Sequence, residues 1–242
     1  MAVSPSGTKK WLPLESNPDV LNEFAAKLGF DTSQYAFCDV YGLDEELLAL
    51  VPQPVLAVLL LFPITSKSEA AKQAEEARIQ AEGQAVSSNV YFMKQTISNA
   101  CGTIGVLHAI GNNQDKCTLA PGAFLERFFS DTASMTPEAR GRYLEDPPVD
   151  APDIDKAHKA AAQEGDTTPP ALDEVVDLHF VALVHQSGCL FELDGRKAFP
   201  INHGPSTPDT LFKDAIAVVR KFMSTTDSVN FNLIALTTPQ TE

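Results

Sequence analysis

The chain has 242 residues, 44% of them apolar and 21% charged, which suffices for one large domain, or two small ones, around a substantial core. A formal net charge of −14 argues against nucleic acid and anionic membranes as partners and favours a basic one. The most apolar run, "VLAVLLLF" at residues 55–62, is too short to span a membrane, and "MAVSPSGTKKWLPLE" lacks the apolar stretch of a signal peptide.

Four widely spaced cysteines, Cys38, Cys101, Cys117 and Cys189, contain no CxxC pair. A zinc site and a disulfide scaffold are therefore not expected, and the thiols read as free in a reducing, intracellular compartment.

No internal repeat is present. "SNPDVLNEFAAKLGF" predicts a helix with Asn17 as cap, Pro18 at its first position and Gly29 beyond its end. "YAFCDVYG" reads as a short strand and "LDEELLALV" as a short helix stopped by Pro52. Residues 55–62 are apolar on both faces, which predicts a central strand. "SKSEAAKQAEEARIQAEG" predicts a polar surface helix ending at Gly83, and "VYFMK" a strand. "CGTIGVLHAI" is apolar nearly all round and stops at Gly111, so it predicts a helix inside the protein, where Gly102 and Gly105 permit close packing.

Helices follow around "GAFLERFF" and "TPEARGRYLE", the second with Thr136 as cap and Pro137 in its first turn. Residues 146–172 hold five prolines, several acids and few large apolar groups, which argues against a packed element and for a lid or linker. "LHFVALVHQSGCLFELDG" reads as a hairpin turning at Ser187–Gly188. "TPDTLFKDAIAVVRKFM" predicts an amphipathic helix and "VNFNLIALT" a last strand. Interleaved helices and strands with an antiparallel pair predict one mixed α/β or α+β domain.

Cys101 has two readings. It either fills space beside Gly102, or it is a nucleophile in a first helical turn capped by Ser98 or Asn99, where N–H groups and the helix dipole favour a thiolate. A cysteine nucleophile needs a base, and the base an orienting group. With a two-residue turn, Gln186 pairs with Cys189 and Asp194 faces Val181. His179 then lies on the same face, one diagonal step away. A one-residue slip would separate the two. His108 reads as a hydrogen-bonded core residue on the buried helix. His158 falls in the acidic loop, His185 near the hairpin turn, and His203 in a surface turn. Gln95, six residues before Cys101, could donate its amide to an oxyanion beside the Cys101 N–H.

Gln95, Cys101, His179 and Asp194, in that chain order, match the cysteine proteases that resemble papain. "WLPLESNP", "FCDVYGLDEELLALVP", "VLLLFPIT", "VYFMKQTISNACGTIGVLHAI", "VDLHFVALV" and "LDGRKAFPINHG" together resemble the ubiquitin C-terminal hydrolases, and within them the small single-domain members that also act on NEDD8. The resemblance runs from Trp11 to about Leu236.

It implies a papain-like, knotted fold with a central, mostly antiparallel six-stranded sheet between helical lobes, and a single catalytic domain over residues 1–242. It implies cleavage of small adducts or peptides from the C-terminal glycine of ubiquitin through a Cys101 thioester, with His179 as acid and base, Asp194 orienting it and Gln95 on the oxyanion. Residues 146–172 correspond to the active-site crossover loop, here longer and richer in proline and acid than in the relatives. The implied substrate contacts are Pro13, Leu14, Glu15, Ser16, Asn17 and Pro18, then Ala162, Gln163, Glu164, Gly165, Asp166, Thr167, Thr168 and Pro169, and finally Ser228, Val229, Asn230, Phe231, Asn232 and Leu233. The expected protein is a cytoplasmic monomer, with the nucleus also open to it, that needs no metal or other cofactor and has ubiquitin, and NEDD8 besides, as partner. The alternative is a ubiquitin-binding protein that buffers free ubiquitin with little turnover.

Overall fold

Asn17 accepts a hydrogen bond from the Asp19 amide and opens the first helix, α1 (Pro18–Lys27), as its position before Pro18 predicts. The computed structural model describes residues 9–171, 174–226 and 228–239. After α1 come β1 (Ala36–Asp39), α2 (Glu45–Leu48), β2 (Val55–Pro63), α3 (Ser66–Glu82), α4 (Cys101–Gly111), α5 (Phe124–Thr132), α6 (Pro137–Glu145), α7 (Asp155–Ala161), β3 (Leu178–Gln186), β4 (Cys189–Leu193), β5 (Ile201–Pro205), α8 (Leu211–Ser224) and β6 (Asn232–Thr237).

The strands form one six-stranded sheet in the order β1-β6-β2-β3-β4-β5. All five pairings are antiparallel. β2 lies inside the sheet, and its unbroken apolar run has a direct cause: both of its faces are covered. Leu56, Ala57 and Leu59 join the core that contains α4, while Val58, Leu60 and Phe62 join the one that contains α8. All eleven residues of α4 are buried, so its lack of a polar face is matched by its position.

Four local expectations are corrected. The "VYFMK" segment pairs with no strand. Its backbone is satisfied one group at a time: Tyr91 N–H donates to Asn112 Oδ1 (2.9 Å), Met93 N–H to His108 Nε2 (3.1 Å) and Lys94 N–H to the Pro137 carbonyl (3.0 Å), while Arg140 donates to the Phe92 carbonyl (2.9 Å). Neither Ser98 nor Asn99 caps α4. Ala100 stands at that position without a side-chain bond, and Asn99, at φ 61°, donates instead to the Trp11 carbonyl. The 146–172 loop does hold a packed element, α7, which buries His158 and Ala161 behind the buried Ile154. The loop's last residue, Leu172, and the polar residues before position 9 lie outside the described residues. His203 is not in a surface turn but in β5, which pairs with β4.

Candidate active site

The hairpin β3–β4 has the register counted from its turn. Ser187 and Gly188 both take positive φ (50° and 81°), Gln186 pairs with Cys189 and Ala182 with Leu193. Asp194 follows at the end of β4, and its Oδ1 stands 2.6 Å from His179 Nε2. Both residues are 2% exposed. The Arg196 N–H also donates to Asp194 Oδ1 at 2.8 Å. The ring of Phe62, which faces His179 across the β2–β3 pairing, meets the imidazole edge-on at 5.7 Å.

Cys101 is the first residue of α4, and its thiol interacts with the His179 side chain. Burial raises the Cys101 thiol, yet the hydrogen bond and charge of His179 and the backbone hydrogen bonds of Phe180 and Gly102 outweigh it and hold the thiol below its ordinary value. Burial lowers His179, but the Asp194 charge and hydrogen bond, together with Cys101, push it up to about 9. Burial works to raise Asp194, and His179, Lys72 and the Arg196 N–H more than offset this and hold the carboxyl well below the usual range. The three groups thus favour a thiolate, an imidazolium and a carboxylate in a row, an arrangement suited to nucleophilic attack. The uncapped start of α4 leaves first-turn N–H groups free for the sulfur and for an oxygen beside it.

Gln95 enters from the chain before α4. Its N–H donates to the Gly195 carbonyl (2.9 Å) and its side-chain amide to the Ile97 carbonyl (3.1 Å), while Oε1 is buried with no protein partner. An amide carries two N–H bonds, so one remains to face a reacting oxygen. The turn after Asp194 is held from several sides. Lys197 N–H donates to the Asp194 carbonyl (2.9 Å), and the Lys197 ammonium lies 2.6 Å from Glu192 and 2.8 Å from Glu75 of α3.

A family profile described as "Ubiquitin carboxyl-terminal hydrolase, family 1" matches residues 11–224. The chain belongs to that family. Ubiquitin carboxyl-terminal hydrolase 3 of Arabidopsis thaliana is 51% identical over 232 residues, covering 96% of this chain and 95% of the relative. Ubiquitin carboxyl-terminal hydrolase isozyme L1 of Homo sapiens is 46% identical, covering 93% and 96%. The crystal structure of the Trichinella spiralis UCH37 catalytic domain bound to ubiquitin vinyl methyl ester superposes with a TM-score of 0.72 at 23% identity, over 97% of this chain and 98% of that one, and shares the fold. This ubiquitin carboxyl-terminal hydrolase is accordingly a cysteine-type enzyme.

The hydrolase also brings its three expected substrate segments together. The Ser16 hydroxyl donates to Asn232 Oδ1 (2.6 Å), Glu15 accepts from the Thr167 N–H (2.8 Å) and the Asp166 N–H (3.2 Å), and Asn17 donates to Asp166 (3.4 Å). Between them lies an open pocket of about 480 Å³ whose charged lining is Glu15, Asp19, Asp39 and Asp166. Burial and the charge of Asp19 both push the Asp39 carboxyl up, in keeping with the negative potential of this pocket. Leu14, Ala162 and Leu233 are buried in the core, whereas Gln163, Glu164, Asp166, Thr167, Thr168, Val229 and Asn230 are exposed.

Several residues that matter to the site's construction escaped the sequence reading. Glu192 is 1% exposed and accepts from His203 (2.9 Å) as well as pairing with Lys197. An acidic residue in the apolar run "CLFEL" was the available signal, since a buried carboxylate requires a partner. His108 is the core residue expected, held neutral by burial that lowers it to about 4. Among the described residues, no three His, Cys, Asp or Glu side chains are grouped to hold a metal ion, and no helix is long and apolar enough to cross a membrane.

Proposed function

We propose that this hydrolase cleaves small adducts and peptides from the C-terminal glycine of ubiquitin through a thioester on Cys101. The buried Cys101–His179–Asp194 row, with its depressed thiol and elevated imidazole, carries the reading. The Cys101 thiolate attacks the glycine carbonyl, and the electron pair moves to oxygen, where the Gln95 amide and the Cys101 N–H receive it. Collapse of this intermediate breaks the C–N bond while the His179 imidazolium protonates the departing amine. The neutral imidazole then takes a proton from water, which attacks the thioester and releases the glycine carboxylate and the thiolate. Asp194 holds the ring and stabilises its charge.

The acidic pocket among Glu15, Asp19, Asp39 and Asp166 supports ubiquitin as partner, because it would draw the basic side chains of ubiquitin's contact face and tail. Residues 146–172 serve in this reading as the crossover loop of a single catalytic domain, under which the tail threads. NEDD8 is read as a second substrate on the resemblance to the small members of the family. The four cysteines are unpaired, in keeping with a cytoplasmic setting.

The test is hydrolysis of ubiquitin bearing a small fluorescent amide at its C-terminus, with Cys101→Ala alongside and the NEDD8 substrate in parallel. Release that vanishes in the variant supports the thiol hydrolase, and the ratio of the two rates gives the preference. Tight binding without release would instead make the protein a ubiquitin buffer.

A further inference from the structure

Gln95 offers its amide from residues 91–96, a stretch that belongs to no helix or strand, so no ladder of hydrogen bonds fixes its place. Its chain neighbours are held instead. One set of bonds leads to the catalytic turn, where the Gln95 N–H meets the Gly195 carbonyl and the Lys94 ammonium donates to the Lys197 carbonyl. A second set leads to α6. The Lys94 N–H donates to the Pro137 carbonyl at 3.0 Å, and the Thr96 hydroxyl to the Gly141 carbonyl, also at 3.0 Å. Pro137 and Gly141 are four residues apart on α6, so they share one face of the helix.

Gly141 is what lets the two chains approach so closely. It is buried in the middle of α6, where glycine is a poorer helix former than alanine. A Cβ at this position would lie 2.4 Å from the Lys94 carbonyl oxygen and 2.9 Å from Thr96 Cγ2. A larger residue would therefore push both neighbours of Gln95 away from the helix. The sequence "TPEARGRYLE" gives up helix propensity at the place where α6 meets the segment that carries Gln95. The helix itself is a fixed platform. Thr136 caps it, accepting from the Ala139 N–H at 3.3 Å. The buried Arg140 donates to the carbonyls of Thr132 (3.0 Å), Ala133 (2.8 Å) and Phe92 (2.9 Å). Those bonds fasten α6 to the end of α5 and to the chain three residues before Gln95.

We infer that Thr96 and Gly141 are positioning residues for the oxyanion: the Thr96 hydroxyl and the bare Gly141 backbone dock residues 94–96 on α6 and so hold the Gln95 amide toward the oxygen that becomes charged. Both act through Gln95 and not on the reacting atoms. The inference deepens the function proposed above and rests on it. A donor held in place needs no reorientation as charge develops, so its benefit falls on the transition state and not on substrate binding.

A double-variant cycle tests it, read in the full chain by release of a small fluorescent amide from the C-terminus of ubiquitin. Thr96→Val keeps the shape of the side chain and removes the donor. It should lower kcat by about tenfold with KM unchanged, a smaller loss than that of a whole oxyanion donor. Thr96→Ser, which keeps the hydroxyl, should retain the wild-type rate. In the Gln95→Ala background, Thr96→Val should cause no further loss, since no amide is left to aim. A change that acted only through the stability of the fold would lower the rate equally in both backgrounds. Equal losses, or a wild-type kcat in Thr96→Val, overturn the inference. Should Thr96→Val not fold, Gly141→Ala goes through the same cycle: a loss confined to enzymes that carry Gln95 supports the docking, and an equal loss or none overturns it. Gln95→Ala that cleaves at the wild-type rate overturns the oxyanion role and this inference with it, while the thiol hydrolase stands. Wild type that releases no amide overturns the function itself.

Discussion

The Gln95 N–H donates to the Gly195 carbonyl at 2.9 Å, so the segment that presents Gln95 and the turn that carries Asp194 are bonded to each other. A Cβ at position 195 would stand 2.9 Å from the Gln95 Cβ, 3.0 Å from its N and 3.1 Å from the Ile104 Cγ2. Gly195→Ala must therefore displace Gln95. A shift of about 1 Å in a positioned group can cost about 100-fold in rate. Steady-state kinetics should show kcat reduced with KM nearly unchanged, and a wild-type kcat would show that Gln95 need not stand where it does.

Cys101→Ala should abolish turnover and retain ubiquitin binding, measured by calorimetry, because the thiol is buried and contributes little surface. Gln95→Ala should lower kcat by about 10²–10³-fold, the usual effect of losing one oxyanion donor. Hydrolysis near the wild-type rate in Cys101→Ala would falsify the nucleophile assignment.

The elevated His179 fixes the sign of the pH dependence. The active row needs the imidazolium, which is lost as pH rises through about 9. It also needs the thiolate, which is lost only below the ordinary thiol range. A profile of kcat/KM should be bell-shaped, with limbs that belong to the coupled pair. Asp194→Asn removes the charge that raises His179, so its alkaline limb should move to lower pH. A limb that stays in place would remove Asp194 from this role.

Stability follows the same shifts. The His179 contribution is fully present below its unfolded value near 6.5 and is lost as pH rises through about 9. The Asp194 contribution is present above about 3.9 and is lost as pH falls through its depressed value. Urea midpoints measured across pH should decline on both sides of this window.

Lys197→Met should destabilise the fold by about 3–5 kcal/mol, because it leaves Glu192 buried at 1% exposure with only His203 to face. The melting temperature should fall by about 10 °C. Adding Glu192→Leu should recover much of the loss, since a neutral pair no longer strands a charge. A double variant as unstable as the single one would mean that packing, and not charge, sets the cost.

Much of this molecule was legible in its sequence because much of it is local. The hairpin register depends on two turn residues, and from it the His179–Asp194 contact follows by counting, fifteen residues apart. The caps at Asn17 and Thr136 act within three residues. The all-apolar α4 and β2 announced their own burial. The readings that failed were those that depend on remote partners. Residues 90–94 have strand composition, but Asn112, His108, Arg140 and Pro137 reach their backbone before any strand does. α7 has too few large apolar groups to predict packing, and it packs because Trp11, 147 positions before His158, supplies the ring it stacks on.

By itself the sequence determined the periodicities, the hairpin turn and the sign of the surface charge, since each follows from composition or from residues within a few positions of one another, while the four candidate catalytic groups stood out through the family resemblance. Tertiary structure alone decided that Cys101 meets His179 across 78 residues and that an apparent linker is pinned beneath the N-terminal segment. Those contacts bury polar groups, and a buried polar group is tolerable only where the completed fold has already brought its partner to it.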